Sequence, residues 1–119
     1  MTLRLDDDTR ARYRKALLRK GKAIADELAD FLAGKRGRGL LRTNLLPRSA
    51  HKPGMRPEER LRAYLEHVES RRRLLDAGDD RFGRCDVCGD DLGPAVLDQM
   101  PWADVCQACA AEFATPPTP

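Results

Sequence analysis

The sequence predicts an all-α protein with a small metal-stabilised region. Three observations predict it. Apolar residues recur at helical steps in two long stretches, 6–33 and 57–77. A basic segment rich in Gly and Pro separates those stretches. All four cysteines lie late in the chain as two C-x-x-C pairs. The expected architecture is an antiparallel two-helix coiled-coil hairpin, then a four-cysteine finger and a short C-terminal helix. The expected divisions are a hairpin over 1–77 with its tip loop at 34–57, the finger over 78–114, and a disordered tail over 115–119.

The first helix is placed by Asp6, Asp7 and Asp8, whose negative charge suits the positive end of a helix dipole. Asp8 or Thr9 is expected as its cap. Tyr13, Leu17, Ile24, Leu28 and Phe31 recur at steps compatible with a heptad seam. Gly21 falls on that seam and leaves a thin spot, and Gly34 is the stop. The second helix opens on Pro57 at its first position with Glu58 and Glu59 in the first turn. Leu61, Leu65, Val68 and Leu75 carry its stripe, with Arg72 at the intermediate seam position. Gly78 ends it. Neither helix hides its stripe alone; packed antiparallel, each covers the other.

Between them, Phe31 through Pro57 holds seven Lys/Arg and no acid. Its glycines and prolines exclude a continuous helix. Leu40, Leu41, Leu45 and Leu46 predict a short helical turn at the tip. One reading makes this segment a solvated connector. The other makes it a contact surface for an anion, with Lys35, Arg36, Arg38 and Arg42 as the residues that meet it.

Charge is divided along the chain. Residues 1–75 carry 20 Lys/Arg against 10 Asp/Glu, a net +10, and residues 76–119 carry two against nine, a net −7. Such polarity orients an encounter without naming the partner. Aromatics are 5% of the chain and charged residues 34%, which leaves little for a core, so a staple is expected. No apolar run is long enough for a membrane span. The start, MTLRLDDDTR, lacks the apolar region of a signal peptide, so a cytoplasmic location is expected. No nucleophile–base pair, phosphate loop or paired-carboxylate site is visible, and no enzyme activity is expected.

In a reducing compartment, clustered cysteines read as metal ligands before disulfides. Cys85 and Cys88 form one pair, Cys106 and Cys109 the other, with seventeen residues between. Each knuckle turns two thiolates to one side, and two knuckles complete a tetrahedron of soft ligands suited to Zn²⁺. Four protein sulfurs leave no open position, so one structural zinc per chain is expected, with no catalytic role. A redox role would call for a thioredoxin-like alternation of strands and helices, and iron–sulfur spacings differ. Oxidation that ejects the metal stays open as an added layer.

Gly78, Phe82, Gly83, Cys85, Cys88, Gly89, Leu92, Gly93, Leu97, Pro101, Ala103, Asp104, Cys106 and Cys109 together resemble the C4-type zinc finger of the DksA/TraR family. Phe82 stands for the family's aromatic and Leu92 for its isoleucine. Gln99 replaces a usual alanine, and Val96 sits where an arginine is common. The resemblance covers 78–109 closely and the hairpin in architecture only. It implies a bacterial transcription regulator that binds RNA polymerase and not promoter DNA. The finger and adjoining helix would dock at the rim of the secondary channel, and the hairpin would enter it. Some members act with the alarmone ppGpp. Better-known members also carry acids at the tip. Here no Asp or Glu lies between Asp30 and Glu58, so the family's tip activity does not carry over.

Arg71, Arg72 and Arg73 read as a solvated face, or as a docking patch near the finger. His67 reads as solvent-facing and His51 as part of the basic loop. Trp102 is expected to cover the metal or pack on the hairpin base, with Leu92, Val96 and Leu97 in the finger's core. Two alternatives remain beside the polymerase reading. One is a nucleic-acid-binding module that holds phosphates with the basic tip. The other is a protein adaptor that presents the tip leucines as a plug.

Overall fold

Asp6, not Asp8 or Thr9, opens the first helix: its Oδ1 accepts the Thr9 N–H at 2.7 Å. An Asp at this point satisfies a donor that has no partner inside the helix. Helix α1 then runs Asp7–Leu32 and α2 runs Pro57–Ala77. The computed structural model describes residues 5–35, 39–42, 46–50 and 52–114, and the side chains of Arg42, Arg48 and 112–114 are excluded from that description. Arg36, Arg38, Leu45, His51 and the 115–119 tail lie outside the described residues. Two shorter helices follow, α3 at Pro94–Gln99 and α4 at Gln107–Ala114. No strand occurs among the described residues; Arg84 and Asp91 form a single antiparallel bridge. No described helix is long and apolar enough to cross a membrane.

Both long helices stop the same way. At α1, the Gly34 N–H donates to Phe31 O and the Lys35 N–H to Asp30 O. At α2, the Gly78 N–H donates to Leu75 O and the Asp79 N–H to Leu74 O. Gly34 and Gly78 have φ of 77° and 65°, a left-handed turn that a side chain would strain.

The helices pack antiparallel. Arg10 Nη1 donates to Leu75 O at 3.0 Å, and Arg14 meets Asp76 at 2.9 Å, so the start of α1 lies beside the end of α2. The buried stripe on α1 is Tyr13, Leu17, Ile24 and Glu27. On α2 it is Leu61, Tyr64, Val68, Arg71 and Leu75. Part of the expected seam is therefore displaced by one residue. Leu65 and Arg72 are half-buried on the flank, while Tyr64 and Arg71 take the covered positions. The reason is a second packing partner: the cysteine head covers the side of α2 that carries Tyr64 and Arg71. Phe31, at the far end of the expected seam, is exposed.

The tip folds back on the hairpin. Two 3₁₀ turns, Leu40–Arg42 and Arg48–Ala50, stand where one short helical turn was expected. Leu46 and Ala50 are buried, and Leu40 and Leu41 pack partly against the same core. The Leu40 N–H donates to Oε1 of the buried Glu27 at 3.4 Å. Of the tip leucines, Leu46 is thereby committed to the interior, and Leu40 and Leu41 are half-covered.

Gly21 lines a shallow groove between the helices with Leu17, Leu18, Ala25, Leu65 and Val68. A Cβ at Gly21 would lie 3.8 Å from Leu65 Cδ1 and 3.9 Å from Val68 Cγ1, ordinary contact distances. Gly21→Ala is expected to stabilise the fold by about 1 kcal/mol, through helix propensity and added contact. Urea unfolding of both proteins checks this; a midpoint that fails to rise would contradict the packing described.

Candidate metal centre

The finger is built from turns. Cys85 and Cys88 sit in a loop closed by the Arg84–Asp91 bridge. The Cys85 N–H donates to Asp90 O at 2.8 Å and the Leu92 N–H to Gly83 O at 2.8 Å. Gly89, at φ 80°, donates to Cys85 O at 2.9 Å and supplies the reversal that brings the second sulfur round. Cys106 precedes α4 and Cys109 lies in its first turn, so the two face the same side. A backbone bond ties the knuckles together: the Asp86 N–H donates to Asp104 O at 2.7 Å.

These turns bring all four Sγ atoms within 4.8 Å of one another. Cys88 Sγ and Cys106 Sγ are 3.7 Å apart, and all four thiols are free. A tetrahedral ion with sulfur at about 2.3 Å has ligand–ligand edges of about 3.8 Å. The donor set therefore fits a four-coordinate soft cation. Protonation behaviour agrees. Burial works against the Cys85 thiolate, yet the backbone N–H groups of Cys88, Cys106 and Val87 outweigh it and bring its pKa down to about 6. The Cys109 thiol is pushed up, first by its sulfur neighbour Cys106 and then by burial.

The head is clamped to the hairpin base on two sides. On one, Tyr13 stacks at a tilt on Phe82 with centroids 6.3 Å apart. The Tyr13 hydroxyl donates to Asp98 Oδ1 at 3.0 Å, and Arg12 meets the same oxygen at 2.9 Å. On the other, Trp102 is buried against Tyr64, with ring centroids 6.3 Å apart. Lys20 Nζ lies 4.9 Å from the Trp102 centroid and 5.6 Å from that of Tyr64. Burial lowers the Lys20 pKa, and the two ring faces supply part of the lost hydration. Burial raises the Tyr64 pKa to about 12. One buried cluster runs through hairpin and head together.

His67 departs from the solvent-facing position expected of it. Its side chain is buried, its Nε2–H donates to Trp102 O, and its Nδ1 lies 3.9 Å from Asp104 Oδ2. Burial depresses its pKa; the Trp102 carbonyl and Asp104 oppose this, Arg71 adds to it, and Asp86 opposes it. A base with a depressed folded pKa favours the unfolded chain once that chain takes up the proton. Stability held above pH 6.5 is therefore expected to fall as pH drops through 6.5 toward the folded value. The difference in stability between wild type and His67→Gln, followed from neutral to acid pH by urea unfolding, isolates this contribution. It should shift against wild type on acidification; a flat difference would contradict the buried neutral imidazole.

The three arginines singled out on α2 part company. Arg71 is 4% exposed, with Nη2 on Asp86 Oδ2 at 2.7 Å and Nη1 on Arg81 O at 3.5 Å. It braces the head from inside and is closed to an outside partner. Arg72 pairs with Asp76 at 3.1 Å, and the exposed Arg73 with Glu66 at 3.1 Å. Asp86→Ala removes the carboxylate but leaves the guanidinium buried. The expected cost is about 2 kcal/mol, below the figure for a fully buried pair because Asp86 is 44% exposed. Thermal unfolding checks it; a change within error would show the pair to be idle. Of the tip cations, Lys35 is exposed at the end of α1, and Arg42 lies in the first 3₁₀ turn.

No protein-family model matches the chain, and no solved structure matches it. Among curated proteins it is similar to the RNA polymerase-binding transcription factor DksA of Haemophilus influenzae. The two are 36% identical over 55 residues, 46% of this chain and 37% of that protein. The chain thus matches little more than a third of the relative's length. The four-cysteine cluster and this similarity fit a DksA/TraR-like C4 zinc finger.

Proposed function

We propose that this chain regulates transcription by binding RNA polymerase, with its head held together by one structural Zn²⁺ on Cys85, Cys88, Cys106 and Cys109. The observation that carries the reading is the similarity to a polymerase-binding factor, in a chain whose cysteine cluster sits at the base of a long helical hairpin. The ion supplies cross-linking and no reaction, since four sulfurs fill its sphere. The chain's own residues do the rest. Trp102, Tyr64, Tyr13 and Phe82 fix the head to the hairpin, so that 78–114 and 1–77 meet a partner as one piece. The head is the docking element and the hairpin the probe that reaches into the secondary channel. Of the cations singled out in the sequence, Arg72, Arg73 and Lys35 are those whose described side chains lie outside the interior.

The tip gives the proposed regulator a different chemistry from an acidic one. No acid lies between Asp30 and Glu58, so a metal-seeking carboxylate has no place in that segment. The test is retention of purified RNA polymerase by immobilised wild-type and Cys106→Ser protein. Wild type is expected to hold the polymerase and the variant to lose it. Absence of binding by folded, metal-loaded wild type would overturn the reading.

A further inference from the structure

Helix α2 reaches both halves of the cysteine cluster with two side chains one turn apart. His67 and Arg71 lie toward the head, and their side chains are 9% and 4% exposed. Arg71 takes the first knuckle. Its Nη2 donates to Oδ2 of Asp86, the residue after Cys85, at 2.7 Å. Its Nη1 donates to Arg81 O, in the chain that leads into the knuckle. His67 takes the approach to the second. Its Nε2–H donates to Trp102 O, and its Nδ1 lies 3.9 Å from Oδ2 of Asp104, two residues before Cys106.

The two knuckles also close on each other, since the Asp86 N–H donates to Asp104 O at 2.7 Å. The result is a circuit from α2 through Arg71, Asp86, Asp104 and His67 back to α2. Asp86 is held at its backbone and its side chain alike. Asp104 is held at its carbonyl, and the chain before it at Trp102 O. Both residues stand within two positions of a cysteine, so fixing them fixes backbone angles that aim a sulfur. Freedom removed in this way is freedom that binding an ion need not remove. Groups that orient a ligand without touching the metal change its affinity by about 10–100-fold.

We infer that Arg71 and His67 are positioning residues of the metal centre, and that α2 is the template on which the two C-x-x-C turns are set at ligand spacing. The inference rests on the zinc reading above and not on polymerase binding. It separates Arg71 from Arg72 and Arg73, which pair with Asp76 and Glu66 on their own helix. It also gives the hairpin a task in the head's chemistry. Residues 1–77 hold no cysteine, yet they set how tightly the ion is kept.

Zinc affinity of the full chain, measured at fixed pH by competition with a chromophoric chelator, tests it. Arg71→Met replaces a buried charge by an apolar chain of similar length and leaves Asp86, 44% exposed, to water. Arg71→Met and His67→Leu should each weaken zinc binding about tenfold or more and speed release to excess chelator. Arg62→Met, at an exposed position of the same helix, should change neither. A cycle of Arg71→Met, Asp86→Ala and the double variant follows the path. If Arg71 acts through Asp86, the double variant binds zinc no more weakly than the weaker single one; losses that multiply overturn the role of Arg71. Cobalt gives a readout that mere support of the fold does not move. At saturation, the ligand-field bands of Co²⁺ follow the geometry of its four sulfurs, so they should shift in both variants and stay in Arg62→Met. Wild-type affinity in both variants, or bands unmoved with Co²⁺ fully bound, overturns the inference and leaves the zinc reading standing. A wild-type chain that takes up no zinc overturns both.

Discussion

Removing the metal, by a strong chelator or by Cys106→Ser, is expected to unfold residues 78–114 and leave the hairpin loose. Apart from its contacts with the hairpin, the described head has little regular structure of its own: turns, a single β-bridge, a six-residue helix and an eight-residue helix. Its buried apolar residues, Phe82, Leu92, Leu97, Trp102 and Ala103, lean mostly on one another and on the hairpin base. Structural zinc contributes about 10–16 kcal/mol of apparent binding energy in finger peptides. Whole domains are stable by only about 5–15 kcal/mol, so losing that contribution decides the state of the head. Trp102 reports it directly, being the single tryptophan of the chain and 6% exposed. Its emission should shift to the red on chelation and return when zinc is restored. Unchanged emission with four reactive thiols would show that the head stands without metal.

The second large effect is expected at Trp102 itself. Trp102→Ala removes the ring between Tyr64 and Lys20 and opens a hole in the joint of hairpin and head. Truncation of a buried aromatic of this size costs about 3–5 kcal/mol. In a chain of this length that lowers the melting temperature by about 10–20 °C. The metal should stay, because all four cysteines and the turns that aim them are intact. Reduced stability with undiminished metal content is the signature of a broken joint. A melting temperature within a few degrees of wild type would place the joint elsewhere.

The elements were legible in the sequence because their signals are local. Pro57 and Gly78 frame α2, and Gly34 follows α1, each for a backbone reason that holds whatever packs nearby. The cysteine spacing likewise announced the cluster, since a knuckle is set by adjacent residues. The register of the seam was less legible. Leu61, Leu65, Val68, Arg72 and Leu75 make a good heptad, but so do Leu61, Tyr64, Val68, Arg71 and Leu75. The sequence holds both stripes, and only the position of the head selects the second. Tyr64 was findable at its step of three from Leu61. Arg71 was not, because an arginine is buried only where an acid from another element meets it, here Asp86. His67 and Lys20 were hidden for the same reason: their partners Trp102 and Asp104 lie more than thirty residues away in the chain.

Tip chemistry shows the same contrast. The absence of acids from 31 to 57 is plain in the sequence, but Glu27 reaches the tip from within α1 and holds the Leu40 backbone. A carboxylate is thus present beneath the basic segment as a support, buried and turned inward.

Metal content of the protein, purified without added metal and measured by inductively coupled plasma mass spectrometry beside a thiol titration, tests the central claim most directly. One zinc per chain, with the four cysteines protected until the protein is denatured, is the predicted result. A folded chain without metal, its four thiols open to reagent, would contradict it.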